Sequence, residues 1–111
     1  MTDTDHEALI RLVCQVVRLM APQQPRAVRP ADRLVGDLGF HSLALVEMSF
    51  TLEGLFSLDE MAMEDARRIV RVQDIADLVR EAIEEGAGQM PSDDDLSDLA
   101  ERYGTVWEPV S

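Results

Sequence analysis

The chain has 111 residues, of which 46% are hydrophobic and 29% are charged, and its 22 acidic and 10 basic side chains give a formal net charge of −12. A chain of this length forms one small domain with a single modest core, which excludes a multidomain enzyme. The negative charge repels phosphate backbones and anionic lipid, so neither nucleic acid nor a membrane is an expected partner.

Cysteine usage and the first residues indicate the cellular compartment. The only cysteine is Cys14, so neither a disulfide framework nor a cysteine-rich zinc site can form, which fits a reducing environment. Residues 1–7 carry three acids instead of the basic start of a signal peptide, and no apolar run is long enough to cross a bilayer. We therefore expect a cytoplasmic protein, with Cys14 as a packing residue rather than a nucleophile.

The first predicted helix runs from a cap at Thr4 or Asp5 to a stop at Pro22. Its apolar residues recur at three- and four-residue steps: Leu9, Leu12, Val13, Val16 and Met20. The stretch that follows is rich in proline and has no apolar period, which predicts a long extended loop. Leu34 and Leu38 are expected to anchor this loop to the core.

The segment from Ser42 to Phe56 is the most apolar of the chain and is predicted to form the second helix. Its apolar residues lie around nearly the whole circumference: Leu43, Ala44, Leu45, Val46, Met48, Phe50, Leu52, Leu55 and Phe56. One face cannot hold them all, so part of the helix must be covered by the core and part by something that binds later. This helix is therefore a candidate contact surface.

The rest of the chain predicts two more helices and a tail. Residues 59–69 are acidic and then basic, which is typical of a short helix whose charges match its dipole, and residues 72–85 carry an apolar stripe that ends at Gly86. No segment alternates with a period of two, so we expect no sheet. The sequence thus predicts an all-α domain over residues 1–86 and an acidic tail over residues 87–111.

The acidic tail has the composition of a linker or a disordered segment. Its aspartate run lacks the glycine and the closing glutamate of a calcium-binding loop, so we predict no metal site. Leu96, Leu99 and Tyr103 allow one short helix capped by Ser92, and the sequence leaves open whether that helix packs on the domain.

The excess negative charge is confined to one part of the chain. Residues 1–41 hold five acidic and five basic side chains, so the whole excess lies from residue 42 onward. A partner that recognises the later helices electrostatically would therefore present a basic surface.

A glycine-containing turn, Asp37-Leu38-Gly39-Phe40-His41, precedes Ser42 and places it at the start of the apolar helix. A hydroxyl at that position is exposed and faces backbone N–H groups that favour an anion, so a phosphate on Ser42 would be compatible with its surroundings. The spacing alone favours a plain capping role for Ser42, because serine is among the commonest capping residues.

Residues on both sides of Ser42 show a resemblance to a known family. The residues that carry it are Asp37-Leu38-Gly39, Ser42-Leu43 and Val46-Glu47. Together with the order of the helices and the long loop, they resemble the attachment motif of the acyl carrier protein family. The resemblance implies a small four-helix bundle with a long loop between its first two helices, and a 4'-phosphopantetheine attached to Ser42. The flanking motif would be Asp37, Gly39, His41 and Leu43.

The resemblance also implies a function without catalytic residues on this chain. A phosphopantetheinyl transferase would move the arm from coenzyme A onto Ser42, and the thiol of the arm would hold acyl intermediates as thioesters. Partner enzymes such as ketosynthases, acyltransferases or ligases would then act on a monomeric, free-standing carrier. The second helix would be the recognition element, with Leu43, Val46, Glu47, Phe50 and Glu53 as partner-binding residues.

Three positions depart from the commonest pattern of the family. His41 stands where an aspartate usually precedes the serine, and Ala44 and Gly54 replace residues that are often acidic on the recognition helix. We interpret His41 as a docking or positioning residue. The missing charges weaken docking to generic partners, which favours dedicated enzymes of polyketide, specialised fatty acid or other secondary-metabolite biosynthesis.

Two alternative functions stay open. A histidine before the serine also occurs in peptidyl carrier domains, so the cargo could be an aminoacyl thioester in nonribosomal peptide assembly. Alternatively, the chain could be an unmodified acidic helical adaptor that binds another protein through the same apolar helix. A hydrolase that uses Ser42 is disfavoured, because a helical bundle offers no evident base and carboxylate beyond the adjacent His41.

Overall fold

The computed structural model describes residues 3–58 and 68–107, with side chains from residue 6 onward. These residues contain four helices: α1 Asp3–Met20, α2 Ser42–Leu55, α3 Val72–Glu84 and α4 Asp93–Arg102. They contain no strand, and their single β-type pairing is an isolated bridge between Arg33 and Arg71. The all-α class predicted from the sequence is therefore confirmed for the described residues.

The first and third helices enclose much of the core. Helix α1 begins at Asp3, so Thr4 and Asp5 lie inside the helix and the prediction that one of them caps it is wrong. It ends at Met20, shortly before Pro22, and buries its predicted apolar stripe. Its main contacts are with α3. That helix buries an apolar face of its own, formed by Val72, Ile75, Ala76 and Val79.

The long loop before α2 is hydrogen-bonded to the segment that leads into α3. The backbone N–H of Leu34 donates to the carbonyl of Val70 at 3.0 Å, and the N–H of Val72 donates to the carbonyl of Asp32 at 3.0 Å. Leu34 and Leu38 are both buried, as the sequence predicts. Phe40 is a third buried anchor of the same loop.

Helix α2 has one face in the core and one face outside it. Ala44, Met48, Leu52 and Leu55 are buried on the inner face. The helix ends at Leu55, one residue before the predicted end, and Phe56 follows as a fully buried cap residue whose N–H donates to Leu52. Of the short helix predicted over residues 59–69, residues 59–67 lie outside the described residues.

The tail contains the fourth described helix. Ser92 caps α4, because its Oγ accepts the N–H of Asp95 at 3.1 Å while Asp95 Oδ2 accepts the N–H of Ser92 at 3.2 Å. Leu96 and Leu99 belong to the same core as the other helices, and Trp107 packs against that core. The tail helix is thus packed on the domain. Within the described part of the chain, no helix is both long and apolar enough to span a bilayer.

Candidate functional site

The turn that leads to Ser42 is closed by an interaction between Asp37 and Arg33. Oδ2 of Asp37 accepts the backbone N–H of Arg33 at 2.7 Å, and the guanidinium donates to Oδ2 and Oδ1, each at 3.3 Å. These hydrogen bonds lower the pKa of the Asp37 carboxyl and raise the pKa of Arg33. The carboxylate therefore stays ionised and holds the turn by charge-assisted hydrogen bonds.

Gly39 reverses the chain between this turn and α2. Its φ of +74° lies in the left-handed region, and a Cβ added there would lie 2.6 Å from Nε2 of Gln23. After the reversal, the N–H of Phe40 donates to the carbonyl of Leu34 at 2.9 Å while the Phe40 ring enters the core. The residues that follow Phe40 are consequently brought out at the surface.

His41 is the N-cap of α2. Its backbone is extended, with φ −109° and ψ 176°, and its Nδ1 atom accepts the N–H of Ala44 at 3.3 Å. The capping role that the spacing allows for Ser42 is therefore filled by His41. By capping α2, His41 fixes the residue at which the helix begins.

Ser42 is the first residue of α2 and is exposed to solvent. The first N–H groups of a helix lack intrahelical acceptors and carry the positive end of the helix dipole, so this position attracts an anion. No acidic side chain lies in the first turn of α2 to oppose that field. A phosphodiester on the Ser42 hydroxyl would thus be accessible to an enzyme and electrostatically stabilised.

An exposed apolar stripe runs along the outer face of α2 from the residue after Ser42. Leu43 is 64% exposed, Val46 is 50% exposed and Phe50 is 69% exposed, and their spacing places them on one side of the helix. Contiguous exposed apolar patches are typical of binding surfaces, whereas single exposed apolar side chains are common on any protein. We call these three residues the docking stripe.

The two predicted acidic partner-binding residues lie beside the docking stripe. Glu47 is exposed, and Glu53 is half-buried. At 100° per residue, Glu47 and Glu53 project on opposite flanks of the stripe. The structure therefore places all five predicted partner-binding residues on or next to one face of α2, which begins at Ser42.

The two positions of α2 where acidic residues are missing differ in their surroundings. Ala44 is 8% exposed and packs into the core, so an acidic side chain there would be largely buried. Gly54 is exposed, and a Cβ added to it would meet no atom within 4 Å. Of these two positions, therefore, only Gly54 alters the exposed surface of α2.

Cys14 lies away from this site, on the half-buried side of α1. Burial raises the pKa of its thiol, and the carboxylate of Asp32 raises it further. A thiol that resists ionisation is a poor nucleophile, which agrees with the packing role expected from the sequence.

Sequence reasoning missed two features of the site. It did not assign the capping role to His41, and it did not place α4 next to α2. A signal for α4 was present in the sequence, since Ser92 and Asp95 have the spacing of a capping box.

Comparisons with protein-family models, with curated proteins and with solved structures find no match to this chain.

Proposed function

We propose that this chain is a free-standing acyl carrier protein that bears a 4'-phosphopantetheine on Ser42. The observation that carries the proposal is the position of Ser42, which is exposed at the first residue of α2 while His41 caps the helix. A hydroxyl that is accessible and not needed for capping is suited to enzymatic modification.

The electrostatics of the helix start support the attachment of a phosphate. The N-terminal N–H groups of α2 favour an anion by about 0.3–1 kcal/mol in an exposed setting. The nearest acid along the helix is Glu47, which lies beyond the first turn. The arm would extend from Ser42 into solvent, where partner enzymes can reach its thiol.

The docking stripe supports a role in protein recognition next to the attachment site. Leu43 directly follows Ser42, and Val46 and Phe50 continue the stripe along the outer face. A partner enzyme that binds this stripe would bring its own active site to the arm. On this proposal the catalysis belongs to the partners, and the chain supplies the anchor and the recognition surface.

The family resemblance and the departures from it point to a dedicated pathway. The arrangement of turn, exposed serine and apolar helix resembles that of the acyl carrier type, while Gly54 lacks the acidic side chain that is common there. We propose a cytoplasmic monomer that carries acyl thioesters in polyketide, specialised fatty acid or other secondary-metabolite biosynthesis. Its partners would be a phosphopantetheinyl transferase and the loading and condensing enzymes of that pathway.

The test is the intact mass of the protein after incubation with coenzyme A and a promiscuous phosphopantetheinyl transferase. We expect a gain of one phosphopantetheinyl group that is lost in Ser42→Ala. The matched control is Ser49→Ala, which removes a half-buried hydroxyl of the same helix that donates to the carbonyl of Leu45 at 3.0 Å. This control should be modified like the wild type.

This experiment separates the carrier from the adaptor, and a second step with loading enzymes separates the two kinds of carrier. Absence of any mass gain in the wild type would contradict the carrier proposal and favour the unmodified adaptor. If the arm is attached but aminoacyl rather than acyl loading enzymes form a thioester on it, the chain is a peptidyl carrier instead.

A further inference from the structure

The chain turns immediately after α1, and a local hydrogen bond fixes this turn. The N–H of Gln24 donates to the carbonyl of Ala21 at 3.0 Å, which closes a four-residue turn, and Ala21 is buried in the core. Pro22 occupies the second position of the turn, where the φ angle fixed by its ring is favourable. Gln23 therefore occupies the third position of a short and well-anchored segment. We call residues 21–24 the α1 turn.

The backbone of Gln24 has an unfavourable conformation. Its φ of +48° lies in the left-handed region, which residues other than glycine seldom adopt. Gln24 also precedes Pro25, and residues before a proline favour an extended conformation with negative φ. A conformation of this kind persists only where the surrounding structure imposes it, and such residues cluster at functional sites. The α1 turn keeps it next to the residue that contacts the turn before Ser42.

The side chain of Gln23 lies against Gly39, in the turn of residues 37–41 that precedes Ser42. A Cβ added to Gly39 would lie 2.6 Å from Nε2, 2.7 Å from Cδ and 3.0 Å from Cγ of Gln23. The Gln23 side chain therefore occupies the space where a side chain of residue 39 would lie. Glycine has the widest backbone freedom of any residue, so this contact restricts the least constrained residue of the turn.

The neighbours of Gly39 are anchored in a different way. Leu38 and Phe40, on either side of it, are both buried in the core. Gly39 has no side chain that could anchor it, so Gln23 supplies a contact from a distant part of the chain. The backbone angles of Gly39 set the direction in which the chain continues to Ser42. A contact that fixes those angles therefore also fixes how Ser42 is presented.

We propose that Gln23 is a positioning residue for the modification of Ser42. This inference rests on the proposed function. By covering Gly39, Gln23 keeps the turn in the conformation in which a phosphopantetheinyl transferase accepts Ser42. Without this contact the turn exchanges among several conformations, and the apparent affinity of the transferase falls in proportion to the fraction that is competent. Gln23 acts through the turn and does not touch the reacting atoms.

The test measures the kinetics with which a promiscuous phosphopantetheinyl transferase and coenzyme A modify Ser42. We expect Gln23→Ala to raise KM for the protein about fivefold with kcat unchanged, which corresponds to a competent fraction of about one fifth. The matched control is Gln73→Ala, which removes the same side chain from an exposed position near the start of α3 and should leave KM unchanged. Gln23→Met keeps the length of the side chain and should restore most of the affinity.

A double-mutant cycle tests the contact between Gln23 and Gly39 directly. Gly39→Ala places a methyl group against the Gln23 side chain, so part of its effect arises from that neighbour. We expect Gly39→Ala to reduce kcat/KM by a smaller factor in the Gln23→Ala background than in the wild type, because the neighbour is then absent. Equal factors in the two backgrounds would show that the residues are not coupled, and the inference would fail.

The outcomes separate this inference from the proposed function. If the wild type is modified but Gln23→Ala and Gln73→Ala have the same KM, Gln23 does not position Ser42 and only the inference fails. A lower kcat in Gln23→Ala with KM unchanged contradicts the inference as well. A wild type that is never modified contradicts both proposals.

Urea unfolding separates positioning from a general structural role. Gln23→Ala should be about as stable as Gln73→Ala, because both side chains are exposed. If Gln23→Ala is instead largely unfolded under the conditions of the assay, Gln23 has a general structural role and the inference fails.

Discussion

Nδ1 of His41 accepts the backbone N–H of Ala44 at 3.3 Å, and this hydrogen bond caps α2. Because the capping group belongs to His41, the start of the helix does not depend on the hydroxyl of Ser42. The residue proposed to carry the arm and the residue that fixes the helix start are therefore neighbours with separate roles. This separation has a direct consequence for stability.

Substitution of His41 should destabilise the protein, whereas substitution of Ser42 should not. We expect His41→Ala to lower the free energy of unfolding by about 1 kcal/mol, and His41→Asn to retain most of it because asparagine is a good N-cap. Urea unfolding of these variants and of Ser42→Ala measures the effect. A loss in Ser42→Ala as large as that in His41→Ala would show that Ser42 is the cap.

The interaction of Asp37 with Arg33 should make stability depend on pH in the acidic range. The pKa of Asp37 is lowered in the folded protein, so its contribution is present above the ordinary carboxyl pKa of the unfolded chain and is lost as the pH falls through the lowered value. We expect wild type to be more stable than Asp37→Asn near neutral pH, with the difference shrinking on acidification. Unfolding midpoints measured from pH 7 downward test this. A difference that is constant with pH would contradict it.

Gly39 and Gly54 should respond oppositely to substitution by alanine. Gly39→Ala forces an alanine to a φ of +74° and pushes the Gln23 side chain aside, which should cost about 1–2 kcal/mol. Gly54→Ala adds a methyl group in open space within a helix and should raise stability by up to about 1 kcal/mol. Thermal or urea unfolding of the two variants compares them. Equal effects of the two substitutions would contradict the left-handed backbone conformation of Gly39 and its close approach to Gln23.

The core contribution of the tail can be measured at Leu99, which is only 2% exposed. Leu99→Ala should cost about 2–5 kcal/mol, as in other buried leucine truncations. Ser97→Ala on the exposed side of the same helix should change stability little. If Leu99→Ala costs no more than Ser97→Ala in denaturant unfolding, α4 does not belong to the core.

Apolar spacing was sufficient to predict α1 and α3, because each buries a regular stripe. Helix α2 was predicted instead from a continuous apolar segment, which does not show which of its faces is buried. The burial of Leu34 and Leu38 was also predictable, because large apolar side chains in a polar loop are most often buried against the core. The cap at His41 was not predictable, because capping by a histidine nitrogen depends on its rotamer and on the backbone angles of the turn.

Residues that look alike in the sequence can have different surroundings in the structure. Ala44 and Gly54 look alike in the sequence as sites of a missing acid, but Ala44 packs into the core and Gly54 is exposed with open space around it. Likewise, the spacing of Leu96 and Leu99 shows an amphipathic helix, but not the surface on which it packs. Such assignments require the positions of helices that are distant along the chain.

We propose that the hydroxyl of Ser42 carries the arm, and the most direct test identifies the residue that bears the phosphopantetheinyl group. The protein is incubated with coenzyme A and a phosphopantetheinyl transferase, digested, and its peptides are fragmented in a mass spectrometer. We expect the phosphopantetheinyl group on Ser42 and on no other serine. A group found on a different residue, or on none, would contradict it.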